Sequence, residues 1–578
     1  MIKIHGTEVI CMELLSKIPI IATLKSYQKS NFKFDLMAGL TVAIVALPQS
    51  MAYALIAGVD PVYGLYTAII TAIIGSVFGS SDHLVTGPTN AISLMIASQV
   101  THFTNSNFLT MLFLLTFLVG LVQFLLGVLR VGKIINYVSH SVIVGFTAGA
   151  GIIIALGQLN SFLGISLPKG YHPLYEKVWL TLTTCGSTNL YAFGLAGLTV
   201  AIILICKKIN KNIPGSLLGI IGSAALTAFF NLGDHGIKLV GNIPNHLPLF
   251  HLPQAFSMGA IFNLLSGASA IAIVGLVEAI SISKSIALSS EQRINPNQEF
   301  LGQGLSNMIG AFFQCIPASG SFTRSAINFD AGAKTKLAGI LSGIIVAVML
   351  IFFAPYAKYI PKASLAGVLI IVAYGMVNKH AIKKIVKASR YDMAVMGVTI
   401  VATVLMPDLE RAILIGIAVS VIVHLWNTGE IKVKLLLPDD RATFKEFEIR
   451  DELLNNNISG ISLVHIEGDL YFGSAADLEE KLHKVLDDPH SKVCILRLKR
   501  INVVDISAFE VVENFIAVAQ KRGKKILLCG VEPAMQRFMD RLGIIAMVGQ
   551  ENVFLAEEKV YASTDRAFQT ANELLKAG

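Results

Sequence analysis

The chain of 578 residues is 54% hydrophobic and only 15% charged, with mean hydropathy +0.65 and a formal net charge of +8. A soluble domain carries about 25% charged residues, so the composition excludes an ordinary soluble protein. The basic residues lie between apolar runs, where they act as topology signals and not as a nucleic-acid surface.

Met1 to Phe34 lacks an apolar run ending in a small-residue cleavage site and carries five lysines, so a short cytoplasmic arm is expected over 1–34. Apolar segments follow at about 36–56, 61–80, 86–98, 108–129, 139–162, 190–207 and 214–232. A polar interval (233–258) precedes a second series at 262–288, 299–315, 321–331, 337–356, 361–377, 392–407 and 409–427. Most can cross a hydrocarbon core of ~30 Å, which takes ~20 helical residues. Those beginning near Thr86 and Ser321 are too short, and each is the third of its group of seven. Matching interruptions in two halves point to an inverted repeat with a binding site between the halves.

Cationic residues test the count. With a cytoplasmic N-terminus, inner connections hold Arg130 and Lys133; Lys207, Lys208 and Lys211; Arg293; Lys334 and Lys336; and Lys379, Lys383, Lys384, Lys387 and Arg390. Outer ones hold fewer: Lys169, Lys177, Lys238, Lys358, Lys362 and Arg411. The excess inside fits fourteen segments with both termini cytoplasmic, giving a transmembrane domain over 35–428 and a soluble domain over 429–578.

In the last part the periodicity changes. Ile461–Ile466, Val493–Leu498 and Lys525–Cys529 read as strands; Ala475–Leu486, Ala508–Lys521, Ala534–Leu542 and Thr564–Lys576 read as helices. This alternation predicts a small α/β domain. Gly530 is followed by no Gly-Lys-Ser/Thr, so no P-loop is present. Cys11, Cys185, Cys206, Cys315, Cys494 and Cys529 show no metal-ligand spacing and are expected to be free. His140 lacks a carboxylate or cysteine at ligand spacing, and no Ser/His/Asp set converges in sequence. The expectation is a non-enzyme with no catalytic residues, no metal and no cofactor.

Thr86-Gly-Pro-Thr-Asn-Ala91 and Ala318-Ser-Gly-Ser-Phe-Thr-Arg-Ser325 open the two short segments. A helix that starts inside a membrane presents unpaired N–H groups and the positive end of its dipole, which attract an anion. The candidate binding set is therefore Thr86, Gly87 and Thr89 with Ser319, Gly320, Ser321, Phe322, Thr323 and Arg324. The bland alternative is helix packing through small residues. An arginine in hydrocarbon costs at least ~2.5–3.5 kcal/mol, so Arg324 either serves the anion, pairs with Glu278 or snorkels to an interface. Glu278, halfway along 262–288, either takes up a proton for coupling or pairs statically with Arg324. Ser281 shares its face at helical spacing, Ser283 does not, and Lys284 is expected at the interface. Pro48, deep in the first segment, bends it toward a cavity faced by Gln49, Ser50 and Tyr53, with packing the alternative for Tyr53.

These residues carry a resemblance to bacterial members of the SulP (sulfate permease, solute carrier 26) family. Pro48-Gln-Ser-Met-Ala-Tyr-Ala54, Ala57-Gly58, Pro61 and Gly64-Leu-Tyr66 resemble its first-helix signature. Gly320-Ser-Phe-Thr-Arg-Ser-Ala326, with Asn328, Gly332 and Thr335, resembles its tenth-segment motif; Asp505-Ile-Ser-Ala508 resembles the strand-to-helix loop of a STAS domain. The resemblance implies an all-α polytopic membrane protein with fourteen segments in a 7+7 inverted repeat, forming core and gate domains. It further implies a homodimer in a bacterial inner membrane, substrate between segments three and ten, and elevator movement. Retaining both Glu278 and Arg324 resembles proton-coupled sulfate-type members. Sodium–bicarbonate members characteristically lack the arginine, whereas motor-like and channel-like animal members share it but often lack the acidic residue. Bicarbonate or C4-dicarboxylate transport and chloride–bicarbonate exchange are the alternatives, and a membrane-anchored STAS signalling protein is the different class. Ile506 occupies the position where STAS proteins regulated by phosphorylation place the acceptor hydroxyl, with Ser507 one residue further on, which points to assembly, cytoplasmic partner docking or other regulation in place of that phospho-switch.

Overall fold

A computed structural model describes residues 18–100, 108–132, 139–167, 174–210, 213–252, 257–406, 409–428, 431–439, 443–448, 460–559 and 561–577. The arm up to Lys17, Cys11, Lys133, Lys169 and Lys211 lie outside them. The chain packs as two compact units that divide between Ser420 and Val421.

The first unit is helical. Its principal elements are α1 (Asn31–Ile56), α2 (Pro61–Phe78), β1 (Thr86–Gly87), α3 (Asn90–Val100), α4 (Phe108–Val128), α5 (His140–Gly157), α6 (Leu190–Ile209) and α7 (Gly215–Phe229). A second series follows: α8 (Met258–Ser290), α9 (Pro296–Ala311), β2 (Ser319–Gly320), α10 (Phe322–Asp330), α11 (Leu337–Phe353), α12 (Lys362–Met376), α13 (Arg390–Leu405) and α14 (Leu409–Thr428), the last running past the division at Ser420. Eight helices among the described residues are long and apolar enough to cross a bilayer. Side-chain caps set several starts: Ser139 accepts from Ser141 N–H, Asn189 from Tyr191 and Ala192, Ser257 from Ala260, and Asn295 from Asn297 and Gln298. Pro61 and Pro296 open α2 and α9, where a missing N–H costs nothing. Pro48 lies within the continuous helix α1.

The expected apolar span at 299–315 is only partly that. α9 buries Glu299, Gln303, Ser306 and Asn307, so it carries a polar stripe through the packed interior. α9 packs against α4 and α2, α11 against α1 and α2, and α13 against α5.

The second unit is a mixed sheet with helices on both faces. Its elements are β3 (Lys432–Asp439), β4 (Thr443–Glu448), β5 (Ile461–Leu470), α15 (Ala475–Leu486), β6 (Val493–Val504), α16 (Ile506–Lys521), β7 (Lys525–Val531), α17 (Pro533–Arg541), α18 (Ile544–Val548), β8 (Val553–Leu555) and α19 (Ala562–Ala577). The strand order is β4-β3-β5-β6-β7-β8, antiparallel across β4-β3-β5 and parallel onward. Alternation along β6 sends Cys494, Leu496 and Leu498 to a core shared with α15 and α16. It sends Val493 and Ile495 to the opposite core, closed by Ala567 and Ala571 of α19. Cys185, Cys206, Cys315, Cys494 and Cys529 are free thiols.

Candidate anion site

Pro88 and Pro317 disfavour helical backbone in the residues before them, Gly87 in β1 and Ile316 in an irregular stretch, which stops both segments from running on as helix. The two extended breaks then pair with each other. β1 and β2 are antiparallel, with Thr86 opposite Gly320 and Gly87 opposite Ser319. The pairing is prolonged where Ser321 N–H donates to the Val85 carbonyl (2.9 Å) and Val85 N–H to Ser325 Oγ (2.9 Å). The heads of α3 and α10 therefore flank one short ladder. A pair of interrupted helices far apart, or facing lipid as unbroken helices, is not what the chain builds.

Each helix head is partly capped. Ser321 Oγ accepts from Arg324 N–H (3.5 Å) and Thr89 Oγ1 from Ile92 N–H (3.5 Å). Phe322 and Thr323 sit in the first turn of α10, where N–H groups have no partner inside the helix. Thr89 also donates its hydroxyl to Glu278 Oε2 (3.2 Å), linking the head of α3 to the middle of α8. Ser319 Oγ donates to the Gly275 carbonyl (2.8 Å), one turn earlier on α8.

Arg324 is fully buried, at 0% exposure, so it does not snorkel to an interface. Its Nη2 donates to the Pro88 carbonyl (2.6 Å), and its Nε has no partner among the described residues. No ion pair joins it to Glu278 within the described residues; the Pro88 carbonyl and the Thr89 hydroxyl occupy those partnerships instead. Gly87 is required by this packing, because a Cβ there would lie 2.3 Å from Arg324 Nη1. Gly320 is equally confined: its Cβ would stand 2.7 Å from Leu84 Cδ1 and 3.0 Å from Ala279 Cα on α8.

The remaining sequence candidates divide. Gln49 Oε1 and Ser50 Oγ are buried without partners among the described residues. Tyr53 is buried within electrostatic range of Arg324 and Glu278 and also packs against Ile154, Leu369 and Ala373. Phe322 (63% exposed) and Thr323 are open, unlike their neighbours. Thr86 offers backbone only, since its hydroxyl accepts from Gln303 Nε2 (2.8 Å) and packs on Gly75. Ser281 and Lys284 are exposed, and Ser283 is buried. His140 opens α5 beside Ser141, whose hydroxyl donates to Asp392 Oδ1 (2.9 Å).

Sequence reasoning passed over the groups that frame this site. Asp35, fully buried, accepts from Lys334 N–H (2.7 Å), Thr335 N–H (3.0 Å) and Thr335 Oγ1 (2.8 Å). Buried Lys336 donates to the carbonyls of Gly79, Ser80 and Ser81, while Glu299 accepts from the N–H groups of Ser80 and Ser81. These two opposite charges clamp the turn leading into β1. Asn328 donates to the His83 carbonyl (3.0 Å), so the polar residues after Arg324 serve the packing of α10.

Comparison with known proteins bears directly on this arrangement. Residues 32–399 match the model of the sulfate permease family, and 454–565 match the STAS domain. The chain belongs to the sulfate permease family. It is 29% identical over 534 residues to the putative sulfate transporter YvdB of Bacillus subtilis, covering 92% of this chain and 97% of that one. Its fold is that of the murine Solute Carrier 26 family member A9 anion transporter in the inward-facing state (TM-score 0.86, 20% identity, 97% and 95% coverage). The transmembrane domain of a cyanobacterium bicarbonate transporter, BicA, also superposes (TM-score 0.61, 24% identity, 68% and 98% coverage). This sulfate permease family member is thus a multi-pass membrane transporter of anions with a STAS domain.

Proposed function

We propose that the chain carries an inorganic oxyanion, sulfate first, across a bacterial inner membrane by proton-coupled symport, with both termini cytoplasmic. The β1–β2 pairing carries this reading: it sets two helix heads and Arg324 beside one another, and backbone N–H groups hold an anion without a dedicated cationic cage. Arg324 supplies the fixed positive field, since its guanidinium stays charged at any usable pH. Glu278 carries the proton. Held by the Thr89 hydroxyl at the head of α3, it lies where an incoming dianion repels a bare carboxylate and so favours its protonated form.

Transport then follows an elevator cycle in which the paired breaks move with the anion, in a homodimer, with the STAS domain serving assembly or the docking of a cytoplasmic partner. The relatives named as sulfate transporters favour sulfate, and the likeness to BicA keeps bicarbonate as the second reading. Uptake of labelled sulfate, bicarbonate and succinate into proteoliposomes, with and without proton or sodium gradients, tests the choice. Acceleration of sulfate uptake by an inward proton gradient supports it; indifference of all three to that gradient overturns symport.

A further inference from the structure

We infer that the polar stripe of α9, chiefly Asn307 with Gln303, positions the two extended breaks and so sets the geometry of the anion site. The inference rests on the transport reading above, and it concerns residues that touch no anion themselves. The Asn307 side chain behaves as a strand edge. Its Oδ1 accepts from Ala318 N–H (2.8 Å) and its Nδ2 donates to the Ala318 carbonyl (2.9 Å), so one amide occupies both backbone groups of the residue before β2. The same Nδ2 donates to Gln123 Oε1 on α4 (2.8 Å), and Gln123 Nε2 donates to the Ala272 carbonyl on α8 (3.4 Å). One turn earlier on α9, Gln303 Nε2 donates to Thr86 Oγ1, which fixes β1 from the same helix.

α9 therefore holds one residue at each break, and through Gln123 it ties the break near β2 to the helix that bears Glu278. All three amides are buried. An unpaired backbone N–H and carbonyl in that interior is costly, so Ala318 keeps its position only while Asn307 supplies both partners. Two successive residues at this break are thereby fixed by different agents: Ala318, just before β2, by Asn307, and Ser319, the first residue of β2, by Gly275 of α8. A shift of the break by even a fraction of a hydrogen-bond length would re-aim the head of α10, whose N–H donors begin at Phe322. Ser306 is buried on the same stripe, but its hydroxyl donates to the Gln303 carbonyl of its own helix (3.0 Å), which makes it an internal control for mere burial of polarity.

The test compares Asn307→Leu with Ser306→Ala in the full-length chain, reading sulfate uptake kinetics, thermal stability in detergent and hydrogen exchange. N307L is expected to raise KM for sulfate by about tenfold or more, the loss of one to two buried hydrogen bonds at the site, with Vmax per folded molecule changed far less. Exchange at 316–321 is expected to accelerate locally. S306A is expected to leave KM within about twofold and exchange at 316–321 unaltered, and Asn307→Gln, which keeps the amide but misplaces it, is expected to fall between S306A and N307L. Unchanged exchange at 316–321 in N307L, or unchanged KM in folded N307L that still transports, overturns the positioning role alone. Absence of sulfate, bicarbonate and succinate uptake by the native chain overturns the transport reading itself.

Discussion

Arg324 donates through Nη2 to the carbonyl of Pro88 at 2.6 Å, so the buried cation of one half is held by the backbone break of the other. This contact crosses between the two short helices at the place where their strands pair. Disturbing either partner therefore disturbs both helix heads.

Arg324→Lys keeps a positive charge but loses the planar fork. The ammonium has further N–H donors but not the guanidinium's rigid planar spread, so it cannot hold Pro88 and keep donors aimed in the same second direction; sulfate uptake is expected to fall at least about tenfold with the protein still folded. Uptake equal to native in folded R324K would reduce the arginine to packing.

Gly87→Ala places a methyl 2.3 Å from Arg324 Nη1 and must displace the guanidinium. Gly320→Ala meets the backbone of Ala279 on α8 at 3.0 Å, which cannot yield cheaply. G87A is expected to lose transport with modest loss of stability, and G320A to lose both. Melting temperature and initial uptake rate measured on the same preparations separate the two.

Glu278→Gln retains a hydrogen-bonding partner for Thr89 and removes the titrating group. Its residual uptake is expected to ignore an imposed proton gradient, and anion exchange in the absence of a gradient is expected to survive better than net uptake. A full response of E278Q to the gradient would assign coupling elsewhere.

Within the soluble unit, His465 is fully buried on β5, with both ring nitrogens 3.2 Å from Arg497 Nη1. Burial and then the Arg497 charge hold its pKa below the ordinary imidazole value. The unfolded chain therefore binds this proton first. The contribution is fully present above about pH 6.5 and is lost as pH falls below it, by at most about 1.4 kcal/mol per unit. Protection factors for β5 and β6, corrected for intrinsic exchange, are expected to drop between pH 7.5 and 5.5. His465→Asn is expected to flatten that dependence.

The two interruptions were legible in sequence because Pro88, Pro317 and the small residues beside them cannot continue an apolar helix. What hydropathy averages concealed was α9: Glu299, Gln303 and Asn307 recur every four residues among apolar neighbours, and that spacing was the available signal. Side-chain direction was not readable. Thr86 and Ser321 look alike as residues opening short segments, yet the Thr86 hydroxyl turns to Gln303 while Ser321 caps α10. In the soluble unit, the strands β5, β6 and β7 stood out through continuous apolar runs. β4, the edge strand, mixes charged residues (Lys445, Glu446 and Glu448) with Phe444 and Phe447, and its strand character comes from antiparallel pairing with β3. Asp505, the loop residue of the STAS motif, caps α16 by accepting from Ala508 N–H (2.9 Å) and also accepts from Phe472 N–H (2.7 Å).

The central claim is that the paired breaks cradle the transported anion. It is tested most directly by an experimental structure of the chain with selenate, whose selenium marks the anion by anomalous scattering. The account predicts a peak with oxygen atoms within about 3.5 Å of N–H groups at the heads of α3 and α10. A well-occupied selenate whose oxygen atoms lie beyond about 6 Å from both heads would contradict it.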